Sequence, residues 1–321
     1  MYTYEAIDKM NTLAKEAGRI GHVFAGIFFG GILLIFITAT VLVAVTGSPD
    51  SPLLGYEVVL FFIAAGVHGI VFLPKAKKKE QEIQRIYKET FLTGVFEEYF
   101  ENVEYRWKQG FDEKKIKQAD VFTPKAGFHT EDYLSGTYKG VSFEHADVSW
   151  ENGSDCYNYR LFSFDYFFKQ MQSVKIIPQF DQALETNPKV FIDGVGLEPV
   201  KLENVEFNKI FLVGATNPEE AFYVLTPQMM EYILTLWKKY GGYAETPMSL
   251  QKDTYRRIKF HFKQDKLYVG ISGKDSFDPE TFRQLDYPTE KARIQKDIQV
   301  IIDVIEMLNM IKDETKDAVD I

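Results

Sequence analysis

From Ile20 to Val45 the chain runs for 26 residues without an aspartate, glutamate, lysine or arginine. As a helix rising about 1.5 Å per residue it is roughly 39 Å long, more than the hydrocarbon core of a bilayer at about 30 Å. Nineteen residues carrying both acids and bases precede it, and no small-residue cleavage site follows, so it does not have the form of a signal peptide. A second apolar run, Tyr56 to Leu73, has 18 residues and is just long enough to span. Two such runs separated by ten residues predict a transmembrane helical hairpin over 20–73.

Basic residues orient it. Lys9, Lys15 and Arg19 precede the first run, Lys75, Lys77, Lys78 and Lys79 follow the second, and the connection between them has none. Both termini are therefore expected in the cytosol. The four lysines are expected at the membrane interface, where each would contribute about 1 kcal/mol toward anionic headgroups, and a topology signal alone is the favoured account of them. Gly26 and Gly30 on the first span, with Ala65 and Gly69 on the second, have the small-x-x-x-small spacing that lets helices pack closely, within one chain or in a homo-oligomer. His22 and His68 lie near the cytosolic leaflet and are read as interfacial rather than as a proton path.

The remainder has a different composition. Residues 80–321 hold 30 basic and 41 acidic residues, a net charge of −11 that disfavours nucleic acid. A single cysteine, Cys156, excludes an internal disulfide and fits a reducing compartment. Apolar positions Ile83, Ile86, Tyr87, Phe91, Val95, Tyr99 and Val103 keep a helical period and predict an amphipathic stem helix over 74–118, packed on its own domain or on another copy. From 119 to 311 β-branched and aromatic segments predict antiparallel strands, with a turn at Lys139-Gly140 and strands at 159–168, 174–177, 190–192, 208–213, 255–262 and 266–271. Thr226-Pro227 opens a helix, threonine as cap and proline in the first turn. A last helix near Pro288 places Ile294, Ile298, Ile301, Ile305 and Leu308 on a seam spaced like a coiled coil. The expected class is α+β: a cytosolic segment 1–19, the hairpin, the stem, a cytosolic domain of antiparallel strands with packed helices, and a tail 312–321.

Four segments, Glu131–Glu144 (EDYLSGTYKGVSFE), Lys201–Val213 (KLENVEFNKIFLV), Glu220–Glu231 (EAFYVLTPQMME) and Lys266–Ile271 (KLYVGI) with Phe277–Pro279, carry a resemblance. They are similar to a bacterial membrane-protein family known as domain-of-unknown-function family three-one-three-seven. The resemblance covers about residues 85–311 and the two preceding spans. It implies the bacterial cytoplasmic membrane and a cytosolic α+β domain, and it supplies no activity and no catalytic residue.

Chemistry must come from the residues themselves. The chain has no phosphate-binding loop, no nucleophile elbow and no H-E-x-x-H pair, and Gly194-Val-Gly196 lacks the rest of a dinucleotide fingerprint. No cofactor is expected. His129, Glu131, His145 and Asp147 are residue types that suit zinc or manganese, but strand alternation divides the surrounding acids between two faces, and ordinary surface polarity is the favoured account of them; no metal is expected. The favoured reading is a membrane-anchored cytosolic binding or scaffold module that holds an unidentified cytosolic protein. The alternative is a membrane-proximal hydrolase using carboxylates and histidine.

Overall fold

The computed structural model describes residues 2–46, 52–122, 127–152, 155–165, 171–179, 196–241, 258–273, 276–279, 281–282 and 284–319. The expected strand at 190–192 lies outside the described residues, as do the side chains of Ala65 and His68. The chain forms two compact units, residues 1–94 with 279–291 and residues 95–278 with 292–321.

The first unit is helical. α1 (Tyr2–Thr46) and α2 (Pro52–Ile86) run alongside each other, tied by ion pairs of Glu16 with Lys79 at 2.5 Å and Lys9 with Glu82 at 3.4 Å. Partners near the start of one helix and the end of the other make the pair antiparallel. Among the described residues α1 is long and apolar enough to cross a membrane, and its most apolar stretch has no buried residue. Gly31 is the glycine at which the two helices meet, since a Cβ there falls 2.3 Å from the Phe61 ring. Among the described residues nothing lies within 4 Å of a Cβ added at Gly26 or Gly30, and at Gly69 only Leu73 of its own helix does. Next to Gly30, Phe61 of α2 is the side chain that packs on α1 at Gly31.

The expected stem helix over 74–118 is corrected. α2 continues into a wider π-type turn (Tyr87–Leu92) and a short α3 (Thr93–Glu97), after which Glu101–Arg106 forms strand β1. Phe91, Val95, Tyr99 and Val103 are four apart, a spacing that keeps one face in a helix and in a strand alike. Periodicity at these positions does not distinguish the two, and pairing with a neighbouring strand decided it. The apolar face of the stem is turned inward, with Ile83, Tyr87 and Phe91 buried.

The second unit is built on one antiparallel sheet. Among the described residues its strands are β1, β2 (His129–Tyr138), β3 (Val141–Asn152), β4 (Asp155–Asp165), β5 (Met171–Pro178), β6 (Glu198–Val200), β7 (Phe211–Ala215), β8 (Ile258–Gln264) and β9 (Lys266–Ser272), in the order β1-β2-β3-β4-β9-β8-β5-β7-β6. Two of the two-residue hairpins show their turn chemistry. Lys139 and Gly140 have φ of 47° and 78°, the left-handed pair that closes β2 on β3, and Gln264 has φ 57° between β8 and β9.

Helices flank this sheet. α4 (Glu113–Ala119) is capped by Asp112, whose carboxylate accepts from the Lys115 amide at 2.7 Å. α5 (Val205–Ile210) replaces the first half of the strand expected at 208–213. Asn204 caps it on the Phe207 amide at 2.9 Å, and the Asn208 side chain bonds the Leu202 backbone, so local side-chain bonds outweigh the β-branched signal until Phe211. α6 (Pro218–Val224) and α7 (Pro227–Leu236) start on Asn217 and Thr226 caps with proline in the first turn, as expected for the latter. α8 (Tyr287–Val319) buries Ile294, Ile298, Ile301, Ile305 and Leu308 within the chain. Its seam is a core face.

Candidate functional site

One face of the sheet is divided in two. Over half of it the segment leading through α4 covers the strands, with Phe111, Ile116, Val121 and Phe122 packed on Ala146, Val148, Trp150, Tyr159, Leu161 and Tyr268. Beyond α4 the same face carries hydroxyls and carboxylates. Because side chains alternate along a strand and register partners share a face, Ser135, Glu144, Ser163 and Tyr268 form one row across β2, β3, β4 and β9. Thr137 with Ser142, and Asp165 with Lys266, lie in the next row. Strand spacing puts neighbours in a row about 4.8 Å apart.

The result is a groove of about 300 Å³. Its charges are already matched: Glu144 binds Lys115 of α4 and accepts from the Tyr133 hydroxyl at 3.1 Å, and Asp165 binds Lys266. Burial and the Glu144 carboxylate push the Tyr268 phenol up to about 12, and burial raises Tyr133 too, so both phenols stay protonated donors at neutral pH. At the floor, Ser163 is 2% exposed and its Oγ has no hydrogen-bond partner among the described residues. A buried orphan hydroxyl costs about 1–3 kcal/mol, so its position calls for an explanation.

The residues singled out from sequence fall elsewhere. His129 and Glu131 pair with each other at 3.6 Å, and the His129 side chain is 65% exposed. His145 and Asp147, both buried, are 3.3 Å apart on the opposite face from Glu144. His129 stands opposite Ser149, four residues along β3 from His145, a separation of roughly 13 Å at strand rise. These four residues are therefore two pairs, and no group of three or more metal-ligating side chains occurs among the described residues.

The His145–Asp147 pair recruits Ser276, which sequence reading missed. The Ser276 hydroxyl donates to Asp147 Oδ1 at 3.0 Å, the Ser276 amide donates to Asp147 Oδ2 at 2.5 Å, and His145 Nε2 lies 3.4 Å from the hydroxyl. A serine, a histidine and an aspartate together invite comparison with a catalytic triad, and the geometry argues against it. The serine proton goes to the carboxylate, the imidazole presents the same Nε2 to both partners, and His145 Nδ1 has no partner among the described residues. All three residues are buried. Alongside, Tyr105 donates to buried Asp132, with burial and that carboxylate raising its phenol far above the usual range. Burial also raises Asp297, which accepts from the Phe277 amide at 3.3 Å. These groups knit the core.

A second buried set lies near the end of α4. His261 Nδ1–H donates to the Ala119 carbonyl at 2.7 Å, and Nε2 lies 2.8 Å from the Ser173 hydroxyl. Burial lowers its pKa to about 4. Its register partner Lys175, 2% exposed, pairs with Asp120, and burial lowers that amine from its ordinary value.

Among the lysines after Leu73, Lys79 pairs with Glu16 and the Lys75 ammonium lies 5.2 Å from the Phe72 ring. His22 is exposed on α1.

Fold and groove together define an α+β chain with an N-terminal apolar helix, an antiparallel sheet and a polar depression on it. The family model described as "Protein of unknown function (DUF3137)" matches residues 161–310, from β4 into α8. Three of the four segments behind the resemblance lie inside that range, and Glu131–Glu144 lies outside it. No curated protein matches. A solved structure that matches is the crystal structure of the mycobacterial trehalose monomycolate transport factor A, TtfA, at 7% identity and a TM-score of 0.33, covering 67% of this chain and 90% of that chain. At that TM-score it carries no argument here.

Sequence reading passed over the groove because single serines in strands look like solvent-facing polarity. The signal was present as three polar pairs at i, i+2, Ser135/Thr137, Ser142/Glu144 and Ser163/Asp165, the last flanking Phe164.

Proposed function

We propose that this chain is a membrane-anchored binding module with two spans, α1 and the first part of α2, both termini in the cytosol of a bacterial cell, and its sheet domain engaging a cytosolic partner. The observation that carries the reading is α1. Phe29, Leu34 and Phe36 are 60–69% exposed on it, and leaving each such side chain in water forgoes about 1.5–3 kcal/mol. Along the whole helix a bilayer is the environment that removes this cost. The ion pairs Lys9–Glu82 and Lys79–Glu16 gather the basic ends of both helices together, which supports one orientation for both. Anionic headgroups are the partners of Lys75, Lys77 and Lys78. Gly26 and Gly30, with open space beside them, are the surface for a second copy.

The chain's own thiol tests this. Cys156 is exposed and free. In sealed cells, or spheroplasts where an outer membrane intervenes, an impermeant thiol reagent should leave Cys156 unlabelled until the membrane is opened. A Ser51→Cys, Cys156→Ser chain should label at once. Labelling of Cys156 in sealed cells, or release of the chain by alkaline carbonate washing, overturns the anchor or its orientation.

A further inference from the structure

We propose that the groove on β2, β3, β4 and β9 is a binding site for a neutral polyhydroxylated ligand, a saccharide ring or a polyol. The binding reading above is deepened by this inference, which does not depend on the membrane anchor.

The lining offers no unmatched charge. Each groove carboxylate already faces a lysine, Glu144 with Lys115 and Asp165 with Lys266, so neither a bare cation nor a phosphate finds unmatched charge. What remains are groups that donate and accept: the hydroxyls of Ser135, Thr137, Ser142 and Ser163. They project from adjacent strands about 4.8 Å apart, a lattice suited to a ligand that carries hydroxyls around a ring. Carboxylates held by lysines keep spare lone pairs, which accept from adjacent ligand hydroxyls without burying net charge. The Ser163 Oγ, without a hydrogen-bond partner among the described residues, lies at the floor of this lattice, and a ligand hydroxyl reaching it satisfies that buried group. A volume of about 300 Å³ stands at the lower end of small-molecule sites and suits one or two rings.

The same chemistry is offered by a free sugar and by a sugar headgroup on a lipid, and the experiment separates them. The full chain is placed in phosphatidylcholine nanodiscs, free of glycoside detergents, and titrated by calorimetry and saturation-transfer NMR with methyl glucoside, maltose and myo-inositol. A parallel titration uses discs carrying a glucosylated lipid, and inorganic phosphate serves as the charged control. Saturable binding of at least one polyol is expected, with phosphate inert. Binding confined to the lipid-borne sugar assigns the headgroup source. Ser163→Ala, which removes an unsatisfied group, should leave thermal unfolding unchanged or raised while weakening binding about tenfold, and Ser142→Trp at the exposed rim should abolish it. No saturable binding by any polyol, preference for phosphate, or binding indifferent to both substitutions overturns the proposal. An anchored, folded chain that binds no polyol leaves the membrane-module reading intact, so the two failures are distinguishable.

Discussion

At the scale of single residues, buried titrating groups make this domain sensitive to acid. His261 is held neutral by burial, which outweighs the Ala119 carbonyl on Nδ1, and its folded pKa of about 4 lies below the ordinary 6.5. Between those values the unfolded chain binds the proton and the folded chain does not. Stability from this group is therefore full above about pH 6.5 and lost as pH falls toward 4, by an amount on the order of 3 kcal/mol. Urea unfolding midpoints at pH 7 and pH 4.5 should differ less in His261→Asn than in the parent, and equal pH slopes would remove histidine as the cause. Asp147 satisfies both the amide and the hydroxyl of Ser276 beside His145. Asp147→Ala should cost about 3 kcal/mol in the same assay, whereas Ser276→Ala should cost nearer 1 kcal/mol because the amide bond survives.

At the scale of elements, caps and buried stripes set where helices begin and which way they face. Thr226 accepts from the Met229 amide at 3.2 Å and opens α7, so Thr226→Ala should lower stability by about 1 kcal/mol, visible as a small drop in Tm. The isoleucine seam of α8 makes a sharper test of its role. Ile298 is fully buried, and Ile298→Lys should unfold the sheet domain through a buried, unpaired charge. A folded domain that merely changes its oligomer mass would mean the seam serves a neighbouring copy. The stem shows the same logic from the other side, because its four-residue spacing was satisfied by helix up to Glu97 and by β1 after it.

At the scale of the whole molecule, the two units differ in what their surfaces offer: α1 leaves large apolar side chains exposed. Helices α1 and α2 meet through Phe61 on Gly31, and no described residue packs on Gly26 or Gly30. If that surface pairs copies in the bilayer, the chain in mild detergent should exceed monomer mass by light scattering, and Gly26→Ile with Gly30→Ile should return it to monomer. Monomer mass in the parent across a range of concentrations would assign those glycines to lipid contact alone.

The apolar run over Ile20–Val45, the lysines after Leu73, the Lys139-Gly140 turn, the Thr226-Pro227 helix start and the α+β class were all legible along the chain, because each depends on neighbours within a few residues and on a solvent preference that composition records. Tertiary structure alone decided the rest. The order of the nine described strands brings Ser135 and Thr137 on β2, Glu144 on β3, Ser163 on β4 and Lys266 on β9 into one groove, although about 130 positions separate the first from the last. It also sends Ser276 to Asp147 and His261 to Ala119, and it divides His129 from His145. Such contacts follow from which strands pair and in what register, and register is settled by burying one face of the whole sheet at once, a condition that no local pattern of residues expresses.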